Sequence, residues 1–283
     1  MESLRSQVGW LQAKAARSAS GIHEAEFRAF SQNGEDGIIQ FLLSRVPVDR
    51  EIFIEFGVED YRESNTRFLL EHDNWRGLII DGGQAHREFL EVSGRAWRHT
   101  IEAITAFVDR DNINGLISGA GIAGDIGLLS IDIDGNDYWV LEAIDVVSPR
   151  ILIAEYNSVF GPASEITIPY DPGFDRARAH YSFLYFGASL GALASLANEK
   201  GYALVGCDRT GVNAFFLRRD VLGDVPELAV SNAYVASRVR ESRSEAGELT
   251  YVSELADRLA LIAELPVVDV QSGDLTTVGE AVR

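Results

Sequence analysis

GLLSIDIDGNDYWVLEAIDVVSPRILIAEYN, residues 127–157, reads as a strand, a helix and a second strand in close succession. The flanks GLLSIDIDG (127–135) and PRILIAEYN (149–157) are apolar runs that turn polar at their C-terminal ends, as strands of a covered sheet do. Between them, DYWVLEAIDVV (137–147) carries apolar residues at helical spacing behind a capping Asp. Strands joined by a helix run parallel, so this stretch predicts an α/β fold with crossover helices.

The same alternation extends outward. EIFIEFG (51–57), RGLIIDG (76–82) and the poorly bounded HTIEAITAFV (99–108) read as strands, with SNTRFLLEHDNW (64–75) and NINGLISG (112–119) as crossover helices. Beyond Asn157, residues 158–187 are rich in Pro, Gly and aromatics. That is too long for a plain connection, so they are expected to form a lid or substrate loop. SLGALASLANEKG (189–201) then reads as a helix with a Gly stop, and YALVGCD and VNAFFLRRD, separated by RTG, as a hairpin. These readings divide the chain into an N-terminal helical segment (1–45), an α/β domain (46–225) and a C-terminal helical appendage (226–283) carrying YVSELADRLALIAEL. The appendage is expected to cover the sheet or to serve a homo-oligomer contact.

Composition narrows the function. With 283 residues, 46% of them hydrophobic, the chain can bury a core without staples, and its single Cys excludes an intramolecular disulfide or a Cys-based zinc site. A formal charge of −18 argues against a nucleic-acid partner. No apolar run approaches a membrane span and no secretory signal is evident, so a cytoplasmic location is expected.

The strand tips carry the chemistry. Glu55 and Gly57 end the first strand: Gly permits a hard turn close to a ligand, and the carboxylate can accept from an amine or hydroxyl. Asp81 and Gly82 end the second, where an acid on a nucleotide-binding sheet takes the ribose hydroxyls; the plainer role for Asp81 is a turn cap. Dinucleotide and triphosphate glycine loops are both absent. Glu55 and Asp81 without a phosphate cradle describe a nucleoside site with an amine nearby, the shape of S-adenosylmethionine. Asp132, Asp134 and Asp137 crowd the fourth tip, and Glu155 and Asn157 the fifth. Asp134 and Asp137 serve equally well as helix initiators. Asp132, Glu155 and Asn157 are candidate oxygen ligands for Mg²⁺, and Asp132 and Glu155 candidate catalytic carboxylates. His180, in the lid, is a candidate base.

Taken together, SQNGEDGIIQFLL (31–43), FIEFGVED (53–60), SNT (64–66), an acidic second tip, SIDIDGNDYWVLEAI (130–144) and PRILIAEYN resemble the FkbM-type branch of class I S-adenosylmethionine-dependent methyltransferases over residues 27–220. The resemblance implies a Rossmann-like, mostly parallel seven-stranded sheet with helices on both faces and a C-terminal antiparallel hairpin. It also implies methyl transfer to a hydroxyl of a sugar, glycan or secondary metabolite. Carried onto this chain, it makes Glu55, Gly57, Val58, Asp81 and Gly82 cofactor contacts and puts Asp132 beside the methionine end. Asp60 stands where the pattern has a further Gly, and Asp81 is followed by Gly-Gly rather than a Pro-containing turn. The alternative is a binding protein that keeps the fold without turnover; another nucleotide-dependent enzyme is a weaker third.

Overall fold

The computed structural model describes residues 2–282. These form ten strands: β1 (Ile52–Phe56), β2 (Arg76–Asp81), β3 (Ile101–Thr105), β4 (Gly124–Ile131), β5 (Val147–Glu155), β6 (Ile166–Thr167), β7 (Tyr202–Cys207), β8 (Asn213–Arg218), β9 (Pro266–Asp269) and β10 (Leu275–Thr277). Seven make one mostly parallel sheet in the order β3-β2-β1-β4-β5-β8-β7, and three make an antiparallel sheet, β10-β9-β6. This is the Rossmann-like methyltransferase arrangement that the resemblance implies. Strand order reverses between β1 and β4, the switch point outside which open α/β sheets bind ligands.

Helices on both faces explain the unbroken apolar runs: all five residues of β1 are buried, as are the last six of β4. Bulk is matched across strands. Phe53 of β1 stands in register with Gly77 of β2, and a Cβ at Gly77 would lie 2.2 Å from the Phe53 ring, so only glycine lets that ring lie there.

The chain divides into two compact units. The first comprises Met1–Asp132, Ala143–Ile153 and Leu217–Pro226. Its N-terminal helix Glu2–Ala16 packs through Gly9, whose missing Cβ would sit 2.8 Å from the Ala29 Cβ. Helix Glu35–Leu43 is fixed by buried Asp36, whose Oδ2 accepts from the backbone N–H groups of Ala29, Phe30 and Ser31 at 2.7–2.9 Å. At the N-terminal ends of β4 and β5, Asp125 is gripped by Arg150 at 2.7 Å and Arg218 at 2.6 Å.

The second unit comprises Ile133–Glu142, Ala154–Phe216 and Glu227–Arg283. Here residues 158–187 are built rather than open: a 3-10 turn Ser158–Phe160, strand β6 and a short helix Arg176–Ala179. Val159, Phe160, Ile166, Ile168, Leu184 and Tyr185 share one core with Ile262, Val267 and Val278 of the C-terminal segment. β9 pairs with β6, Val270 N–H donates to Glu165 O at 3.0 Å, and the Tyr185 hydroxyl donates to Pro266 O. The segment expected as a helical appendage therefore contributes two strands and packs against residues 158–187. Among the described residues, no helix is long and apolar enough to cross a membrane.

Candidate functional site

After β1 the chain turns through Gly57 at φ +73°, and Glu59 and Tyr61 are also left-handed, at φ +47° and +61°. Such backbone is unfavourable outside glycine and persists only where contacts over-determine it. Two carboxylates supply them. Glu55, 5% exposed, accepts from the Ser64 hydroxyl at 2.5 Å, the Asn65 N–H at 2.8 Å, the Thr66 N–H at 3.1 Å and the Thr66 hydroxyl. Burial pushes its pKa up, and these donors pull it back. The SNT triplet is thus the cradle of Glu55, whose carboxylate faces the chain's own loop. Val58 is buried beside it.

Asp81 closes the other side of that loop. Its Oδ2 accepts the Glu59 N–H at 2.8 Å and its Oδ1 the Gly83 N–H at 2.7 Å. Each oxygen is held by one donor and keeps a further lone pair, so a partly exposed carboxylate is fixed in orientation while able to accept more. Gly82 lies under Phe107: a Cβ there would meet the ring at 3.1 Å, and Phe107 is 79% exposed. An exposed aromatic face next to a fixed carboxylate suits a nucleoside, base on ring and ribose hydroxyls on acid. Phe107 was missed in the sequence because it follows an ill-bounded strand. Asp132 directly follows β4 and is half-buried. Gly57, Asp81, Gly82 and Phe107 fit the nucleoside portion of S-adenosylmethionine.

In the second unit, Asp137 opens helix Asp137–Ala143 and is 1% exposed. Its Oδ1 accepts the Ile133 N–H at 2.9 Å and its Oδ2 the Gly135 N–H at 3.0 Å, and burial raises its pKa to about 6. Asp137 is therefore the loop's internal clamp and helix initiator. Asp134, at φ +56°, is ion-paired to Arg176 at 2.5 Å. Glu155 ends β5, nearly buried, and its charge supports the protonation of Arg176.

Asn157 is committed elsewhere. Its Nδ2 donates to Leu184 O at 2.9 Å and Phe186 O at 3.0 Å, and its Oδ1 accepts the Val159 N–H at 3.0 Å. It pins residues 184–186 to the tip of β5, and the described residues contain no group of three or more His, Cys, Asp or Glu that could hold a metal ion. Asn157, expected as a Mg²⁺ ligand, thus has its amide engaged in holding Val159, Leu184 and Phe186.

His180 also has a role set by its neighbours. The Ser182 N–H donates to Nδ1 at 3.3 Å, and the Ser182 Oγ, which accepts from the Leu184 N–H at 3.3 Å, lies 2.7 Å from Nδ1. The hydroxyl hydrogen is thereby directed at Nδ1, which leaves the ring proton on Nε2. Burial lowers the pKa of His180, so the ring is neutral at physiological pH and presents a donor rather than an acceptor at Nε2.

No protein-family model matches the chain. No curated protein matches it either. Among solved structures it is similar to an S-adenosylmethionine-dependent methyltransferase from Clostridium acetobutylicum, with 11% identity and a TM-score of 0.40 over 65% of this chain and 89% of that one. It is also similar to an O-methyltransferase family protein from Burkholderia thailandensis, with 12% identity and a TM-score of 0.41 over 77% and 58%. A third is the N-terminal domain of EvdMO1 in the presence of SAH and D-fucose, with 11% identity and a TM-score of 0.41 over 73% and 94%. These are likenesses of chain path, and the functional argument rests on the residues of the site.

Proposed function

We propose that the protein is an S-adenosylmethionine-dependent methyltransferase that acts on a hydroxyl of a small or carbohydrate-like acceptor. The observation that carries the reading is Asp81, oriented at both oxygens by backbone N–H groups at the tip of β2 and still able to accept two hydroxyls. When bound, the cofactor supplies an electrophilic methyl on a cationic sulfonium. The chain's share is then to position the acceptor and receive its proton. Asp132, in the same unit as Asp81, is the carboxylate assigned to that task; Glu155 of the second unit remains a candidate by its place at the tip of β5. His180, whose Nδ1 accepts the Ser182 N–H, carries its proton on Nε2 and is a hydrogen-bond donor there rather than a base. With the Asn157 amide engaged by Val159, Leu184 and Phe186, the reading assigns no step to Mg²⁺, and activity is expected to survive exhaustive EDTA treatment.

The test is calorimetric titration of S-adenosylhomocysteine into the wild type and Asp81→Ala. Micromolar binding weakened by about 1–3 kcal/mol in the variant is the expected result, the usual cost of losing a hydrogen-bonded charged partner. Absence of binding in the wild type would favour a binding protein that keeps the fold.

A further inference from the structure

Arg258 sits on helix Leu255–Ile262 with 4% of its surface exposed. A guanidinium does not shed its proton on burial, so it requires an anion or a full set of acceptors. Arg258 has neither. Its Nη2 donates to Val239 O, its Nε–H has no hydrogen-bond partner, and among the described residues no carboxylate pairs with it. Burial lowers its pKa, and although the Tyr234 hydroxyl opposes the shift, the positive charge of Arg176 adds to it.

Two further guanidinia belong to the same region of the second unit. Arg176 donates through Nε to Phe183 O at 2.9 Å, stacks 3.8 Å over the Phe186 ring, and feels the charge of Glu155. Arg243 lies 4.7 Å over the Phe183 ring with its Nε–H also unpartnered. Asp134 pairs with Arg176 at 2.5 Å and Glu241 with Arg243 at 3.1 Å, and the charge of Glu155 also acts on Arg176, whereas no carboxylate among the described residues is paired with Arg258. Two of the cations are mounted on aromatic faces, which fixes the planar forks without consuming their N–H groups.

We propose that Arg258, with Arg176 and Arg243, binds an oxyanion carried by the methyl acceptor, so that the acceptor is an acid bearing a carboxylate or a phosphate. The word acceptor rests on the methyltransferase reading above; the anion site does not. A chain with a formal charge of −18 repels acids over its surface, and guanidinia that keep unpartnered Nε–H groups are what admit one. Neutral analogues are rejected because they leave the buried charge unpaired.

The experiment melts the intact wild type and Arg258→Met in chloride, inorganic phosphate or glucuronate at matched ionic strength, with glucose as the neutral control. S-adenosylhomocysteine is titrated into the same samples. Phosphate or glucuronate is expected to raise the wild-type Tm by about 2 °C or more and to leave the variant unmoved. A response to phosphate alone identifies a phosphoryl acceptor, and to glucuronate alone a carboxylate. In chloride the variant is expected to melt above the wild type, because a buried uncompensated charge has gone. Should it fail to fold, the partly exposed Arg243→Met replaces it, with the wild-type shift expected to fall by about half. Equal responses in wild type and variant, or none in either, overturn the proposal. S-adenosylhomocysteine binding without an anion response refutes the acidic acceptor and leaves the cofactor reading standing; an anion response without cofactor binding does the reverse.

Discussion

The tips of β1 and β2 in the first unit hold their carboxylates in a different way from Asp134 and Glu241 in the second. Glu55 and Asp81 are oriented by backbone N–H groups and hydroxyls. Asp134 and Glu241 face guanidinia. A neutral donor fixes a carboxylate and leaves its charge in place for a ligand, whereas an ion pair spends that charge. The first arrangement suits an edge that must accept hydroxyls, and the second an edge that must balance cations.

The largest expected effect falls on the first arrangement. Glu55→Ala removes an acceptor from two backbone N–H groups and two hydroxyls that are all buried, so a loss of about 3–5 kcal/mol in urea unfolding is expected. A loss below about 1 kcal/mol would mean that the left-handed loop stands without Glu55, and the comparison would fail at its strongest point.

Next in size is an effect of pH. Asp36 in the first unit and Asp137 in the second are buried, accept backbone N–H groups, and have pKa values raised by burial from 3.8 to about 6. Between those pH values the folded chain holds protons that the unfolded chain has lost, so stability rises as pH falls from about 7 to about 4, by up to about 3 kcal/mol per group. The Asp125 carboxyl, held low by Arg150 and then by Arg218, contributes the opposite slope, its stabilisation fading as pH falls through its depressed pKa. Asp36→Asn should therefore flatten the gain between pH 7 and 4.5 in urea midpoints. If the wild type shows no such gain, burial is not the dominant influence on these two groups.

How much of this could be read from the chain depends on where the deciding contacts lie. EIFIEFG became Ile52–Phe56 and RGLIIDG became Arg76–Asp81, because a run buried on both faces is a local signal. HTIEAITAFV was hard to bound because β3 is an edge strand and only partly buried. Helix Ala85–Val92 went unread since only His86 and Leu90 are buried on it. β9 and β10 went unread inside the expected helical appendage: four and three residues long, they depend on β6, about a hundred positions earlier. At the site, the places of Glu55 and Asp81 at strand tips were legible. That Glu55 turns inward to Ser64, Asn65 and Thr66, and that Asn157 pins Leu184 and Phe186, was not, because positive φ at Glu59 and Tyr61 and the closure of the lid are set by tertiary contacts. Arg258 gave no signal in the sequence, where it is one polar position in the stretch YVSELADRLALIAEL.

The smallest expected effect sharpens the reading of the first edge. Phe107 is 79% exposed, so its removal should leave the unfolding free energy within about 0.5 kcal/mol. If its face receives the adenine base, Phe107→Ala weakens S-adenosylhomocysteine by about 1–3 kcal/mol, the range for base stacking on an aromatic side chain. Affinity then falls while stability does not, the reverse of what Glu55→Ala should do. That opposition separates a residue that meets the ligand from one that shapes the loop around it. Unchanged affinity in Phe107→Ala would move the base away from Gly82 and leave Asp81 alone to define the nucleoside edge.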